Sequence, residues 1–187
     1  MTKGYEQTDI GEIYAHDGKR TTFRYLISLI GRYGWNMDHM EIVTAWLYPE
    51  IDDNDICMTL SDGWPEGLNT PKIILRLSKA LYSLKQARQL CHDNINAFLL
   101  SLGFTQSSAD PNLYLRSDAL PILLFVDDMS ISCPEAASNT EIEVNTKVSA
   151  KYQITNFGPV RQFFGVKIHH DGTRISLGQK ASISTIL

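Results

Sequence analysis

The sequence predicts an α+β fold, and three observations carry that expectation. Strand-like and helix-like segments are interleaved without the regular β-α-β alternation of a doubly wound sheet. An uncharged stretch, Pro121–Val126, is cut off by Asp127 and Asp128 and followed by a short apolar run, Met129–Cys133. That pattern describes a hairpin with carboxylates at its tip. A long helical pattern over Leu81–Leu102 stops at Gly103, the residue a helix C-terminus favours.

Each element has its own signal. Residues 1–20 are polar and carry weak strand character at most. Phe23, Leu26, Ile27 and Ile30 recur at helical spacing and predict a helix over Thr21–Tyr33, ended by Gly34. Met40–Leu47 reads as a strand that delivers Glu41. The acidic turn Asp52-Asp53-Asn54-Asp55 leads to a strand at Ile56–Leu60, the Gly/Pro-bearing stretch Ser61–Pro71 is a loop, and Ile73–Leu77 is a short strand. Leu84, Arg88, Cys91, Ile95, Phe98 and Leu102 form one face of the long helix. Asn112–Leu115 and Ile122–Val126 are strands, and Ile131 closes the Asp-Asp hairpin. Pro134-Glu135 opens a helix to about Tyr152. Gln162–His169 and Arg174–Leu177 pair around Asp171-Gly172, and Gly178 starts a helix that runs to Leu187.

At 187 residues, 43% hydrophobic and 20% charged, the chain supports one domain with a real core. A net charge of −4 argues against a protein basic over its whole surface and leaves room for a local basic groove. Three widely spaced cysteines without a C-x-x-C pair speak against a disulfide framework or a zinc site. The N-terminus lacks the apolar core of a signal peptide, and the longest apolar run, Ala119–Val126, is too short to span a bilayer. These features predict a soluble intracellular chain, cytoplasmic or nuclear, with no membrane partner.

Nucleotidyl transfer by metal ions needs carboxylates from more than one element, holding two cations about 3.5–4 Å apart. Asp127 and Asp128 can supply one side and Glu41, a lone acid in an apolar segment, the other. Asp-Asp also makes an ordinary polar turn, and a lone acid in a strand often faces solvent. Lys72, Arg76, Lys79, Lys85 and Arg88 form a basic run with no acid between Glu66 and Asp93. Such a strip suits a phosphate backbone, as it also suits a solvated face. Tyr82 and Gln86 in the same strip offer a stacking ring and an amide. Asp53 and Asp55 lack the glycine and glutamate of a calcium loop, and neighbours His169-His170 point to opposite faces of a strand.

Met40-Glu41-Ile42-Val43-Thr44-Ala45-Trp46-Leu47, L-Y-S-L-K-Q-A at Leu81–Ala87, A-D-P-N-L-Y at Ala109–Tyr114, and F-V-D-D at Phe125–Asp128 occur in that order. In residues, order and spacing they resemble the reverse transcriptase of copia-type LTR retrotransposons, over about Lys3 to Leu187. The resemblance implies a right-hand polymerase palm with partial fingers: an antiparallel sheet backed by helices, with metal carboxylates on two adjacent strands. It implies RNA-directed DNA synthesis with two Mg²⁺ (or Mn²⁺) ions on an RNA template and DNA primer, from deoxynucleoside triphosphates. Asp127 and Asp128 match the catalytic acidic pair, and Glu41 stands where the family has its first catalytic aspartate. Trp46 takes the aromatic position expected to stack under the nucleotide sugar, and Lys85 with Gln86 matches the segment that meets nucleotide and template. Lys72, Arg76, Lys79 and Arg88 are the nucleic-acid-binding strip. Phe163-Phe164-Gly165-Val166 resembles the hairpin that grips the primer end, with Phe164 and Gly165 at its centre.

Departures from the family pattern bear on activity. Glu41 adds a methylene to the expected aspartate, and misplacement by about 1 Å can cost roughly 10²-fold in rate. Ser83 replaces the glycine of L-Y-G-L-K-Q, and Arg88 and Cys91 stand in place of a proline and a tryptophan. Residues Thr8–Arg20 fit poorly, and the resemblance leaves the fingers incomplete and the thumb, ribonuclease H, integrase and protease parts outside the chain. The reading is therefore a partial, degenerate polymerase domain over residues 1–187, with activity impaired or lost and the other polyprotein parts as candidate partners. Its alternative is a non-catalytic palm remnant that at most binds nucleic acid.

Overall fold

In the computed structural model, which describes residues 18–51, 56–59, 74–118, 120–171 and 174–179, the periodicity around Phe23 forms helix α1, Arg20–Tyr33. Phe23, Leu26, Ile27 and Ile30 are its buried stripe. Gly34 ends it with φ 66°, its N–H donating to the Ile30 carbonyl at 2.9 Å. At the other end the buried Asp110 carboxylate receives the Lys19 N–H at 2.9 Å and the Thr22 hydroxyl at 2.5 Å. The Lys19 N–H is one of the backbone donors a helix start otherwise leaves open.

The chain divides into two compact units, His16–Val43 with Ala97–Leu187 and Met1–Ala15 with Thr44–Asn96. In the second unit, β2 (Cys57–Thr59) and β3 (Ile74–Arg76) pair antiparallel beside an apolar cluster of Ile51, Ile56, Leu77, Ala80, Leu84 and Ala87. Helix α2, Ala87–Ser101, begins there and runs on into the first unit.

The first unit holds a six-stranded antiparallel sheet. After β1 (Asn36–Ile42), its strands are β4 (Thr105–Gln106), β5 (Leu113–Leu115), β6 (Ile122–Phe125) and β7 (Asp128–Cys133), and β8 (Ile154–Pro159) completes it. Their spatial order is β4-β5-β6-β7-β1-β8, so β1 lies between the hairpin strand β7 and the late edge strand β8. Helix α3, Ser138–Lys151, follows a short 3₁₀ turn and packs on β7. A three-stranded sheet of β9 (Gln162–Phe163), β10 (Val166–His170) and β11 (Ile175–Gly178) completes the unit. Phe23, Leu26, Ile27 and Ile30 of α1 meet Met37, Leu123, Phe163, Val166 and Ile168 in one core, so α1 and the smaller sheet cover one face of the larger.

Several boundaries differ from the sequence reading. The strand carrying Glu41 spans Asn36–Ile42, not Met40–Leu47: Thr44 takes a left-handed φ of 52°, and Ala45–Leu47 coils into a 3₁₀ turn that holds Trp46. The long helix starts at Ala87, not Leu81, because Ser83 takes φ 83° and Leu81–Gln86 forms successive turns. Its buried face is Ala87, Cys91, Ile95 and Leu99, with Arg88 exposed. Gly103 ends it as expected, with φ 84° and the Phe104 N–H returning to the Leu99 carbonyl. Gln162–His169 is two strands split by a turn at Phe164-Gly165, whose φ values of 53° and 71° suit a tight hairpin. Gly178 closes β11 instead of opening a helix; the remainder of that predicted helix beyond residue 179 lies outside the described residues, as do Lys72, Asp53, Asp55 and the loop 61–71.

Candidate active site

The hairpin at Phe125–Asp128 is present, but its tip is Val126-Asp127. Asp128 is the first residue of β7 and pairs with Phe125. Val126 is pushed to φ 60°, the region a two-residue hairpin demands and a β-branched residue rarely occupies. The turn is stitched to β1, whose Ile42 N–H donates to the Asp127 carbonyl at 2.9 Å.

Register then decides what faces what. Glu41 lies directly opposite Asp128 across the β1–β7 pair, so both side chains leave the same face of the sheet within the reach of cross-strand neighbours. Glu41 and Asp128 thus stand across from each other at one end of two adjacent strands, with Asp127 in the turn that leads into β7. Burial, chiefly, and then the neighbouring Asp128 charge push the Asp127 carboxyl above its ordinary range. A positive charge bound there would favour the ionised carboxylate.

A fourth group was missed. His39, two residues before Glu41 and on the same face, places Nε2 2.7 Å from Asp128 Oδ1. Its ring stacks on Phe157 at 4.8 Å and meets Phe163 edge-on at 5.3 Å. The alternation of β1 was the available signal. What hid it was the assignment of Met40 as the strand's first residue, and β8, which supplies Phe157, carries too little apolar pattern to be read.

The remaining predicted residues fall into two groups. Phe164 and Gly165 form the β9–β10 turn, and the Phe164 ring lies 4.4 Å from that of Phe125, so this hairpin packs against the acidic one. Trp46, Arg76, Lys79, Lys85, Gln86 and Arg88 belong to the other unit. There Trp46 is half-buried and meets Tyr82 edge-on at 5.8 Å, Arg76 ends β3, the Lys79 backbone pairs antiparallel with that of Glu50, and Lys85 and Gln86 lie in the turn before α2.

Among the described residues no three or more His, Cys, Asp or Glu side chains are arranged to hold a metal ion. The donor chemistry of Glu41, Asp127 and Asp128 nonetheless fits a hard divalent cation. Mg²⁺ is commonly held by one or two carboxylates, waters and substrate phosphates instead of a closed protein cage. No helix among the described residues is long and apolar enough to cross a membrane.

Over residues 1–187 the chain matches the reverse transcriptase (RNA-dependent DNA polymerase) family, and it belongs to that family. Its relatives place it among the copia-type members. It is 26% identical over its whole length to the retrovirus-related Pol polyprotein from transposon TNT 1-94 of Nicotiana tabacum, and 25% to that from transposon RE1 of Arabidopsis thaliana. A Ty1-BR Gag-Pol polyprotein of Saccharomyces cerevisiae is 24% identical over 84% of the chain. The chain spans only 14%, 13% and 9% of these polyproteins. No solved structure gives a significant match.

Proposed function

We propose that this chain is an RNA-directed DNA polymerase palm with part of the fingers, acting on an RNA template, a DNA primer and deoxynucleoside triphosphates. The observation that carries the reading is the register that sets Glu41 opposite Asp128 with Asp127 in the adjoining turn. Glu41, Asp127 and Asp128 would hold Mg²⁺ or Mn²⁺, which when bound supplies positive charge to the attacking and leaving oxygens of nucleotidyl transfer. The turn geometry fixes the Asp127 backbone, and the β1–β7 ladder keeps the other two carboxylates from drifting apart. Phe164 and Gly165 would steady the primer end. Trp46, Lys85 and Gln86 would meet the nucleotide, and Lys72, Arg76, Lys79 and Arg88 the phosphate backbone.

Primer extension on an RNA template with Mn²⁺ tests this. Asp127→Asn should abolish incorporation, and Glu41→Asp, which shortens the carboxylate by one methylene, should raise it, by as much as roughly 10²-fold. Wild-type incorporation no greater than that of Asp127→Asn would overturn the reading.

A non-catalytic remnant is the second reading, and Ser83 favours it: a side chain at φ 83° occupies the turn where the family resemblance expects glycine. It calls for primer–template binding that weakens steeply with salt and survives Asp127→Asn.

A further inference from the structure

We propose that His39 is a positioning residue for Asp128, and that the Phe157 bulge holds its ring in place; the inference rests on the polymerase reading of the acidic site. Between His39 and Met40 the β1–β8 register slips: His39 opposes Gly158, Met40 opposes Asn156, and Phe157 is left over. Bulges of this kind re-aim a side chain and strengthen the local twist. Gly158 supports the irregularity with φ 66°, and its N–H is tied to Asn156 Oδ1 at 2.7 Å. The result of the extra residue is a phenyl ring stacked on the His39 imidazole at 4.8 Å.

Phe163 closes on the same imidazole from the side at 5.3 Å. Two aromatic contacts and a strand backbone therefore fix the ring, and Nε2 meets Asp128 Oδ1 at 2.7 Å with both side chains partly screened from water, 15% and 35% exposed. That contact engages Asp128 Oδ1 on the face of the sheet that the carboxylate shares with Glu41. A carboxylate fixed in this way loses little freedom when it binds a cation. Outer partners that orient a ligand in this manner are worth roughly 10–100-fold in metal affinity. Phe163 also neighbours Phe164, with ring centroids at 5.1 Å. The β9–β10 hairpin and the acidic turn are thereby joined through one imidazole.

The experiment is Mn²⁺ binding by the full chain, without nucleic acid, followed by electron paramagnetic resonance. His39→Phe keeps a ring between Phe157 and Phe163 but removes Nε2, and should weaken Mn²⁺ about 10-fold or more. His39→Gln restores an N–H donor and should return affinity to within about 3-fold of wild type, a rescue that a packing role alone does not produce. Phe157 is 51% exposed, so Phe157→Ala keeps the fold while releasing the imidazole, and it should weaken Mn²⁺ several-fold even if His39→Phe fails to fold. Wild-type affinity in His39→Phe or in Phe157→Ala overturns the inference, as does a glutamine variant as weak as the phenylalanine one. Those results leave the polymerase reading standing. A wild-type chain that takes up no Mn²⁺ without nucleic acid overturns the inference alone, because substrate phosphates complete the cation's shell and primer extension decides the polymerase reading.

Discussion

Val126 and Ser83 hold backbone conformations that glycine adopts freely and other residues resist. At φ 60°, a β-branched valine sits at the first turn residue of the acidic hairpin; strain of this kind costs on the order of 1–3 kcal/mol. Val126→Gly should therefore raise stability by about 1 kcal/mol, read as a melting temperature about 2–4 °C higher. The same change would loosen the turn that carries Asp127. Ser83→Gly removes a comparable strain at φ 83°, with a similar gain expected in thermal melts. It also tests the polymerase reading, because relieving this turn should raise nucleotide incorporation as well as stability. Periodicity cannot announce either position, since a left-handed residue in the middle of a turn leaves no trace in hydrophobic spacing. The expected glycine at 83 came from family resemblance alone.

Asp110 shows how an element depends on one buried carboxylate. It lies in the A-D-P-N-L-Y segment and is 1% exposed. Its Oδ2 serves Lys19 and Thr22 at the start of α1, and its Oδ1 accepts the Asn112 N–H at 3.1 Å. Truncation to Ala strands these donors, so Asp110→Ala should cost about 2–3 kcal/mol, seen as a lower urea midpoint with an unchanged slope. The segment was legible as a motif but not as a cap, because its partners lie some ninety residues earlier. Helix stops at Gly34 and Gly103 and the acidic hairpin were legible, each being a local signal. The starts of β1 and α2 were not. β1 begins in a polar stretch that pairing with β7 and β8 holds extended, and the turns at Leu81–Gln86 override an apolar helical pattern.

Across the sheet, on the face turned toward α3, a second set of acids controls how stability responds to pH. Glu141 is 8% exposed, and the Cys133 thiol donates to its Oε2 at 3.0 Å. Burial, first, and then the Asp38 charge raise the Glu141 carboxyl above its ordinary range, burial raises Asp38, and burial with the Glu141 contact pushes the Cys133 thiol up to about 12. A raised carboxyl keeps its proton in the fold after the unfolded chain has lost it. Ionisation at neutral pH therefore works against folding, and stability climbs as pH falls through the folded value. Glu141→Gln cannot ionise and should be more stable than wild type at pH 7–8, by about 1 kcal/mol. The difference should vanish below pH 4.5, the ordinary glutamate value. Thermal melts across pH 4–8 measure it, and a gap that persists into acid would refute the assignment.

By itself, the sequence determined the class of this protein. Four motifs in order, an apolar run broken by two aspartates, and interleaved helix and strand patterns are all features of neighbouring residues or of their order. Tertiary structure decided what those residues can do together. Only strand register sets Glu41 opposite Asp128, and only the turn's position places Asp127, not Asp128, at the tip. Only a bulge in a strand with no strong pattern of its own brings Phe157 onto His39, and His39 onto Asp128. Hydrophobic periodicity records which side of an element is buried. It does not record which residue on the next strand lies across from it, because pairing is fixed by the summed fit of the whole sheet.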